Sequence, residues 1–104
     1  MPGICFREVR SLVSMTQVLE LLGFEAQTTS GAEVRGPCPV HRSVSPKSRS
    51  FSANLAKRVY RCFRCGSAGN HLDLYAAATH QSLHAAAVDL CQRVGCAVPW
   101  LNAR

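Results

Sequence analysis

Residues Arg58–Gly66 read RVYRCFRCG, a Cys-x-x-Cys pair set among arginines and aromatics. That pair is a redox couple, half of a metal site or part of a basic strand, and the choice decides the fold. Upstream, GPCPVH places Cys38 and His41 with the same two-residue gap as Cys62 and Cys65. A gap of this length lets one tight turn aim two side chains at one point, and the twenty residues between the pairs suffice for a hairpin that joins the two points. Tetrahedral zinc takes four nitrogen or sulfur ligands of this kind; four protein ligands close a structural site, whereas catalytic zinc keeps a position open. Cys38, His41, Cys62 and Cys65 are therefore the expected ligands of one structural Zn2+ ion. Pro37 and Pro39 stiffen the first turn, and Gly66 offers the second a residue able to take positive φ. A redox role fits less well, because a thioredoxin-like pair opens a helix in a βαβ setting, and here the pair follows a basic strand and has a second ligand pair to match.

Outward from the knuckles, charge is distributed unevenly. The chain has 104 residues and a net charge of +6. From Val34 to Leu72 it carries Arg35, Arg42, Lys47, Arg49, Lys57, Arg58, Arg61 and Arg64 with no Asp or Glu, while Glu8, Glu20, Glu25, Glu33, Asp73 and Asp89 lie outside. An uncompensated basic segment points to a polyanionic partner, the alternative being a solvated face that aids solubility. Part of it has a local use, since three thiolates and an imidazole around Zn2+ leave a charge of about −1 that Arg61 and Arg64 would offset. No apolar run approaches the roughly 20 residues needed to span a bilayer, and the charged start does not fit a signal peptide. A reducing, cytoplasmic setting is expected, in which six cysteines are ligands or buried thiols before they are disulfides.

The local patterns predict an α+β domain. Residues 1–10 show no period and read as an N-terminal arm. Val18, Leu21 and Leu22 predict one N-terminal helix capped by Ser14 or Thr16 and ended by Gly23. FEAQTTSGAEVRG reads as two short strands, RSVSPKSRS as a polar basic loop, and SFSANLAKRVYRCF as a second hairpin turning near Ala56 and Lys57. Asn70 and Ser82 then cap an antiparallel helical pair joined at His80–Gln81 and stopped by Gly95. Phe51 and Cys91 are expected in the core. His71, His80 and His84 are expected on helix surfaces or as caps, with His71 the one substitute ligand.

Read in order, GPCPVH, Ser50-Phe51, YRCFRCG and Gly69-Asn70 closely resemble the zinc-binding domain of bacterial replicative DNA primases, a Cys-His-Cys-Cys zinc ribbon. The likeness runs from the first helix to AVP at Ala97–Pro99, so residues 11–104 form one primase-type zinc-binding domain on this reading. Two departures are the longer loop after His41 and Arg64 where the family has a small residue. The resemblance implies engagement of single-stranded template. It also implies a separate polymerising domain whose clustered carboxylates bind divalent metal, and the scattered acids here offer no such cluster, so no enzymatic activity is expected of this chain by itself.

The leading expectation is a zinc-dependent nucleic-acid-binding module, with single-stranded DNA as partner. If Tyr60 points inward with Cys62, alternation puts Val59, Arg61 and Phe63 on the other face, where an aromatic beside arginine suits stacked bases and phosphates. The alternative for Phe63 is packing under the final helices. Arg35, Arg42, Lys47, Arg49, Lys57, Arg58, Arg61, Phe63 and Arg64 are the candidate contacts, with Ser48 and Ser50 as donors. A second reading is an adaptor that docks on a primase, helicase or mobile-element protein through its alanine-rich helices, Ala76–Ala78 and Ala85–Ala87, and Trp100; a third is a fragment of a complete primase.

Overall fold

The computed structural model describes residues 3–40 and 50–100. Five short strands, β1 (Thr28–Ser30), β2 (Glu33–Gly36), β3 (Phe51–Asn54), β4 (Val59–Cys62) and β5 (Ala68–Asn70), form one antiparallel meander in chain order. Helices α1 (Phe6–Leu12) and α2 (Met15–Leu21) precede the sheet, and α3 (His71–Thr79) and α4 (Leu83–Val94) follow it. Residues 41–49, which include His41 and the stretch expected to be a polar basic loop, lie outside the described residues.

Alternation sets the two faces of the sheet. Val34, Ala53 and Tyr60 pair across β2, β3 and β4, as do Gly36, Phe51 and Cys62, and the side chains of Val34, Ala53, Tyr60, Phe51 and Cys62 are buried. Phe51 is sealed between Phe24, with ring centroids 5.1 Å apart, and Tyr60, at 5.8 Å. A slip of one residue would turn these rings to solvent and bring arginines into the core, so burial pins the register. The outer rows run Thr28, Arg35, Ser52, Arg61, Ala68 and Ser30, Glu33, Asn54, Val59, Asn70.

The helices follow their caps. Ser14 accepts from the Gln17 N–H and Gln17 reaches back to the Ser14 N–H, closing a capping box on α2. Asn70 and Asp73 do the same on α3. Gly69 must be glycine for this box: its φ is 151°, and a Cβ there would stand 2.6 Å from Asp73 Oδ2. Ser82 caps α4, and Gly95 ends it in the left-handed conformation. Helix α3 packs along α4 with Ala78, Ala86 and Ala87 buried, so much of the alanine-rich surface serves close helix contact.

Three expectations need correction. Residues 3–10 are not a loosely held arm: Phe6–Leu12 is helical, Ile4 and Val9 are buried, and Cys5 N–H donates to Pro99 O at 2.9 Å. Phe6, Val9 and Val13 do recur at helical spacing, but Cys5 makes no side-chain cap and a helix of seven residues does not persist alone. Packing against α3 and α4, and the bridge between Ile4 and Trp100, hold it. There are thus two N-terminal helices in place of one. His71 is not at the surface either: it is 1 % exposed, and its Nε2 lies 3.0 Å from Arg10 O. Strand β5, too, has no counterpart among the expected elements; Gly69 and Asn70 look like turn and cap residues, and pairing to β4 makes them strand.

Candidate metal centre

Strand β4 delivers Cys62 to the sheet end, and the chain then turns tightly so that Gly66 N–H donates to Cys62 O at 3.0 Å. Gly66 takes φ 79°, a conformation that side-chain-bearing residues rarely adopt. This turn brings Cys65 back beside Cys62, and its N–H points at Cys62 Sγ, 3.4 Å away. After β2, the Gly36-Pro37 step leads Cys38 to the same point. The Sγ atoms of Cys38, Cys62 and Cys65 all lie within 4.8 Å of one another. Sulfurs around a single Zn2+ stand roughly 3.8 Å apart for bonds of about 2.3 Å, so the cluster fits a metal after a small contraction. Burial pushes the Cys62 thiol up, but the N–H groups of Cys65 and Arg64 and the thiols of Cys65 and Cys38 outweigh it and hold Cys62 below its usual value. A thiol with that surrounding is suited to be a thiolate ligand.

Immediately past the knuckle's first cysteine, Phe63 stands 59 % exposed on the outer face of the sheet. Two guanidinium groups lie against its ring: Arg35 at 5.3 Å and Arg61 at 5.2 Å from the centroid. They belong to strands two apart and are brought together by the register, Arg35 facing Ser52 and Ser52 facing Arg61. Val59, 46 % exposed, continues this surface along β4.

The model of the CHC2 zinc finger family matches residues 6–104, nearly the whole chain. The chain belongs to the CHC2 zinc finger family. A DNA primase of Synechocystis is 30 % identical over 86 residues, 82 % of this chain but 13 % of the relative. The DNA primase of Escherichia coli K12 is 30 % identical over 66 residues, covering 62 % of this chain and 11 % of the relative. Among solved structures, the Aquifex aeolicus primase, comprising zinc-binding and RNA polymerase domains, superposes with a TM-score of 0.67 at 26 % identity over 86 % of this chain and 21 % of that one. This CHC2 zinc finger thus spans only a small fraction of its curated relatives. Family and thiol cluster together make its cofactor a structural zinc ion.

The remaining candidate residues of the CHC2 zinc finger fall into separate places. Arg64 is exposed inside the knuckle. Lys57 and Arg58 sit in the β3–β4 turn, where Asn54 Oδ1 accepts from the N–H groups of Ala56 and Lys57. Arg58 Nη1 donates to Arg10 O at 3.1 Å, so its guanidinium is turned toward α1 and away from Phe63. His41, Arg42, Lys47, Ser48 and Arg49 lie outside the described residues, and His71 is not in the thiol cluster. Glu33 escaped the sequence reading as a site residue: it is the one acid in the outer rows, and it accepts from Ser52 Oγ at 3.1 Å. Only the register could have placed it there.

Proposed function

We propose that this CHC2 zinc finger binds single-stranded DNA on the outer face of its sheet. In this reading Cys38, Cys62 and Cys65, with His41 as fourth ligand, hold the zinc that sets the knuckle under that face. The observation that carries it is the exposed Phe63 with Arg35 and Arg61 against its ring. An aromatic ring open to solvent beside two guanidinium groups is a surface on which a base can stack while its phosphates meet cations. Base stacking on an aromatic contributes about 1–3 kcal/mol per base and is indifferent to sequence. Arg64 and Lys57 are exposed beyond that face, and Arg42, Lys47 and Arg49 add further cations in sequence.

The domain acts here as a template-binding part that works with a primase catalytic unit or a helicase, and not as an enzyme. Among the described residues, Asp73 is engaged at the α3 cap, Asp89 with Tyr75 and Arg93, and Glu33 with Ser52. These three acids are thus held in a cap and in side-chain pairs, and the reading leaves phosphoryl transfer to the separate catalytic unit. No described helix is long and apolar enough to cross a membrane, and a cytoplasmic setting goes with a DNA partner.

The test is a titration of zinc-loaded protein against labelled single-stranded DNA, duplex DNA and RNA over a salt series. Tighter binding of single-stranded DNA is expected, with log K falling against log salt at a slope of about −3.5 if about five phosphates are engaged. Absence of binding at low salt would overturn the reading.

A further inference from the structure

Cys38, Cys62 and Cys65 make the metal cluster; of the other cysteines, Cys91 is fully buried on α4, while Cys5 and Cys96 are half-buried. Along a continuing helix, residues three or four apart are neighbours and residues five apart are not, so Cys91 and Cys96 would not meet. Gly95 changes that. It ends α4 in the left-handed conformation, at φ 79°, and turns the chain back over the last turn. Its N–H and that of Cys96 both donate to Cys91 O, the latter at 3.0 Å. A helix end of this kind regularly sets the side chain just past the turn against one in the last helical turn. Here both side chains are thiols, and they lie in hydrogen-bonding contact. With ordinary bond lengths, the 3.0 Å backbone contact keeps the two Cα atoms within about 7 Å, the limit that a disulfide spans.

Their surroundings give the two thiols different parts. Burial, then the hydrogen bond to Cys96 and the charge of Cys96, push the Cys91 thiol up to about 11. Cys91 therefore stays protonated near neutral pH, and Cys96, the more accessible, is the one that an outside reagent meets first. Once Cys96 is bonded to another sulfur, its thiol no longer acts on Cys91 and burial alone remains.

We propose that Cys91 and Cys96 are a thiol–disulfide exchange site, closed to an intrachain disulfide by a low-molecular-weight disulfide of the glutathione class. Cys96 loses its proton to solvent and its thiolate attacks one sulfur of the reagent. The reagent's S–S bond breaks, a mixed disulfide forms on Cys96, and the first small thiolate leaves and takes up a proton. Cys91 then gives its proton to solvent and attacks Cys96 Sγ, expelling the second small thiolate, which is protonated in turn. The two protein thiols are oxidised by two electrons, and the reagent is reduced to two thiols. Closure ties the end of α4 to the segment that carries Pro99 and Trp100. That segment grips Ile4 and Cys5, through Cys5 N–H on Pro99 O and the bridge from Trp100 to Ile4, so the disulfide acts on the clasp that holds α1. In a reducing compartment the pair stays open, as is usual for exchange sites that respond to redox change.

Mapping of the oxidised protein tests this. Zinc-loaded wild type and Cys5→Ser, with Cys91→Ala and Cys96→Ala each made in the Cys5→Ser background, are incubated with oxidised glutathione. Intact mass, peptide mapping and a zinc indicator follow the reaction, and thermal melts beforehand confirm folding. Wild type and Cys5→Ser should give a peptide joined between Cys91 and Cys96 with the zinc retained, and Cys5→Ser should lose the mass of two hydrogens. Cys91→Ala should stop at one glutathione adduct on Cys96, Cys96→Ala should leave Cys91 unmodified, and a phosphine reductant should restore the starting mass. In the closed protein, hydrogen exchange at the Cys5 and Cys96 amides should slow several-fold. A Cys5→Ser protein that stays unmodified, that accumulates the Cys96 adduct without closing, or that is oxidised only at Cys38, Cys62 and Cys65 with release of zinc would overturn the site. Unchanged amide exchange after closure would overturn the clasp.

Discussion

At the scale of single residues, exposure separates stability from binding. Phe63 is open to solvent, so Phe63→Ala should leave the melting temperature nearly unchanged while weakening single-strand binding by about 1–3 kcal/mol, read by anisotropy beside a thermal melt. Glu33 acts in the opposite sense. It is the one acid in the outer rows, and removing it as Glu33→Ala should tighten binding a few-fold at low salt, an effect that fades at high salt as screening shortens its range. His71 reports on stability instead. Burial pushes its imidazole below the ordinary value of 6.5; the backbone at Val13 and Arg10 works the other way, and the charges of Arg58 and Arg10 add to the depression. The unfolded chain therefore takes up a proton that the folded chain resists, and stability present above about pH 6.5 is lost as pH falls through and below it. His71→Gln, which can still reach Arg10 O, should flatten the decline in melting temperature between about pH 7.5 and pH 5.5 relative to wild type. An equal decline in both would place the acid sensitivity elsewhere, in the zinc ligands for instance.

Among the elements, local chemistry and packing contribute in different proportions. Helices α2, α3 and α4 begin at side-chain caps, and their signals are written in three or four adjacent residues. Asn70→Ala should cost about 0.5–2 kcal/mol in a denaturant titration, the usual value of an N-cap. Gly69→Ala should cost at least as much, because the new Cβ would strike Asp73 and break the same box from the other side. A Gly69→Ala variant as stable as wild type would show that the box contributes little. Helix α1 has no such signal, and its existence depends on Val9 finding a core and on Cys5 meeting Pro99. Strand β5 likewise exists through its pairing with β4.

For the whole molecule, structural zinc contributes on the scale of the entire net stability. Structural zinc binding in small domains is worth roughly 10–16 kcal/mol at neutral pH, comparable to the entire stability of an ordinary domain. The thiol cluster ties the ends of β2 and β4, so a strong chelator should abolish the cooperative melt and much of the sheet signal in circular dichroism. A melting curve indifferent to chelator would count against the metal's structural role.

The sequence by itself determined the parts that depend on near neighbours. Ligand spacing, caps, glycine turns and the inward side of β4 follow from residues a few positions apart, and they were enough to place the zinc knuckle, the helical pair and the family likeness. Tertiary structure alone decided the rest. Arg35 meets Phe63 through the pairing of β2, β3 and β4, and Glu33 faces outward with them for the same reason. Arg10 meets Arg58 across 48 positions of chain, and His71 is buried by α1 closing over it. Such encounters depend on register and on how helices pack, which sum over many weak contacts, so no short stretch of sequence announces them.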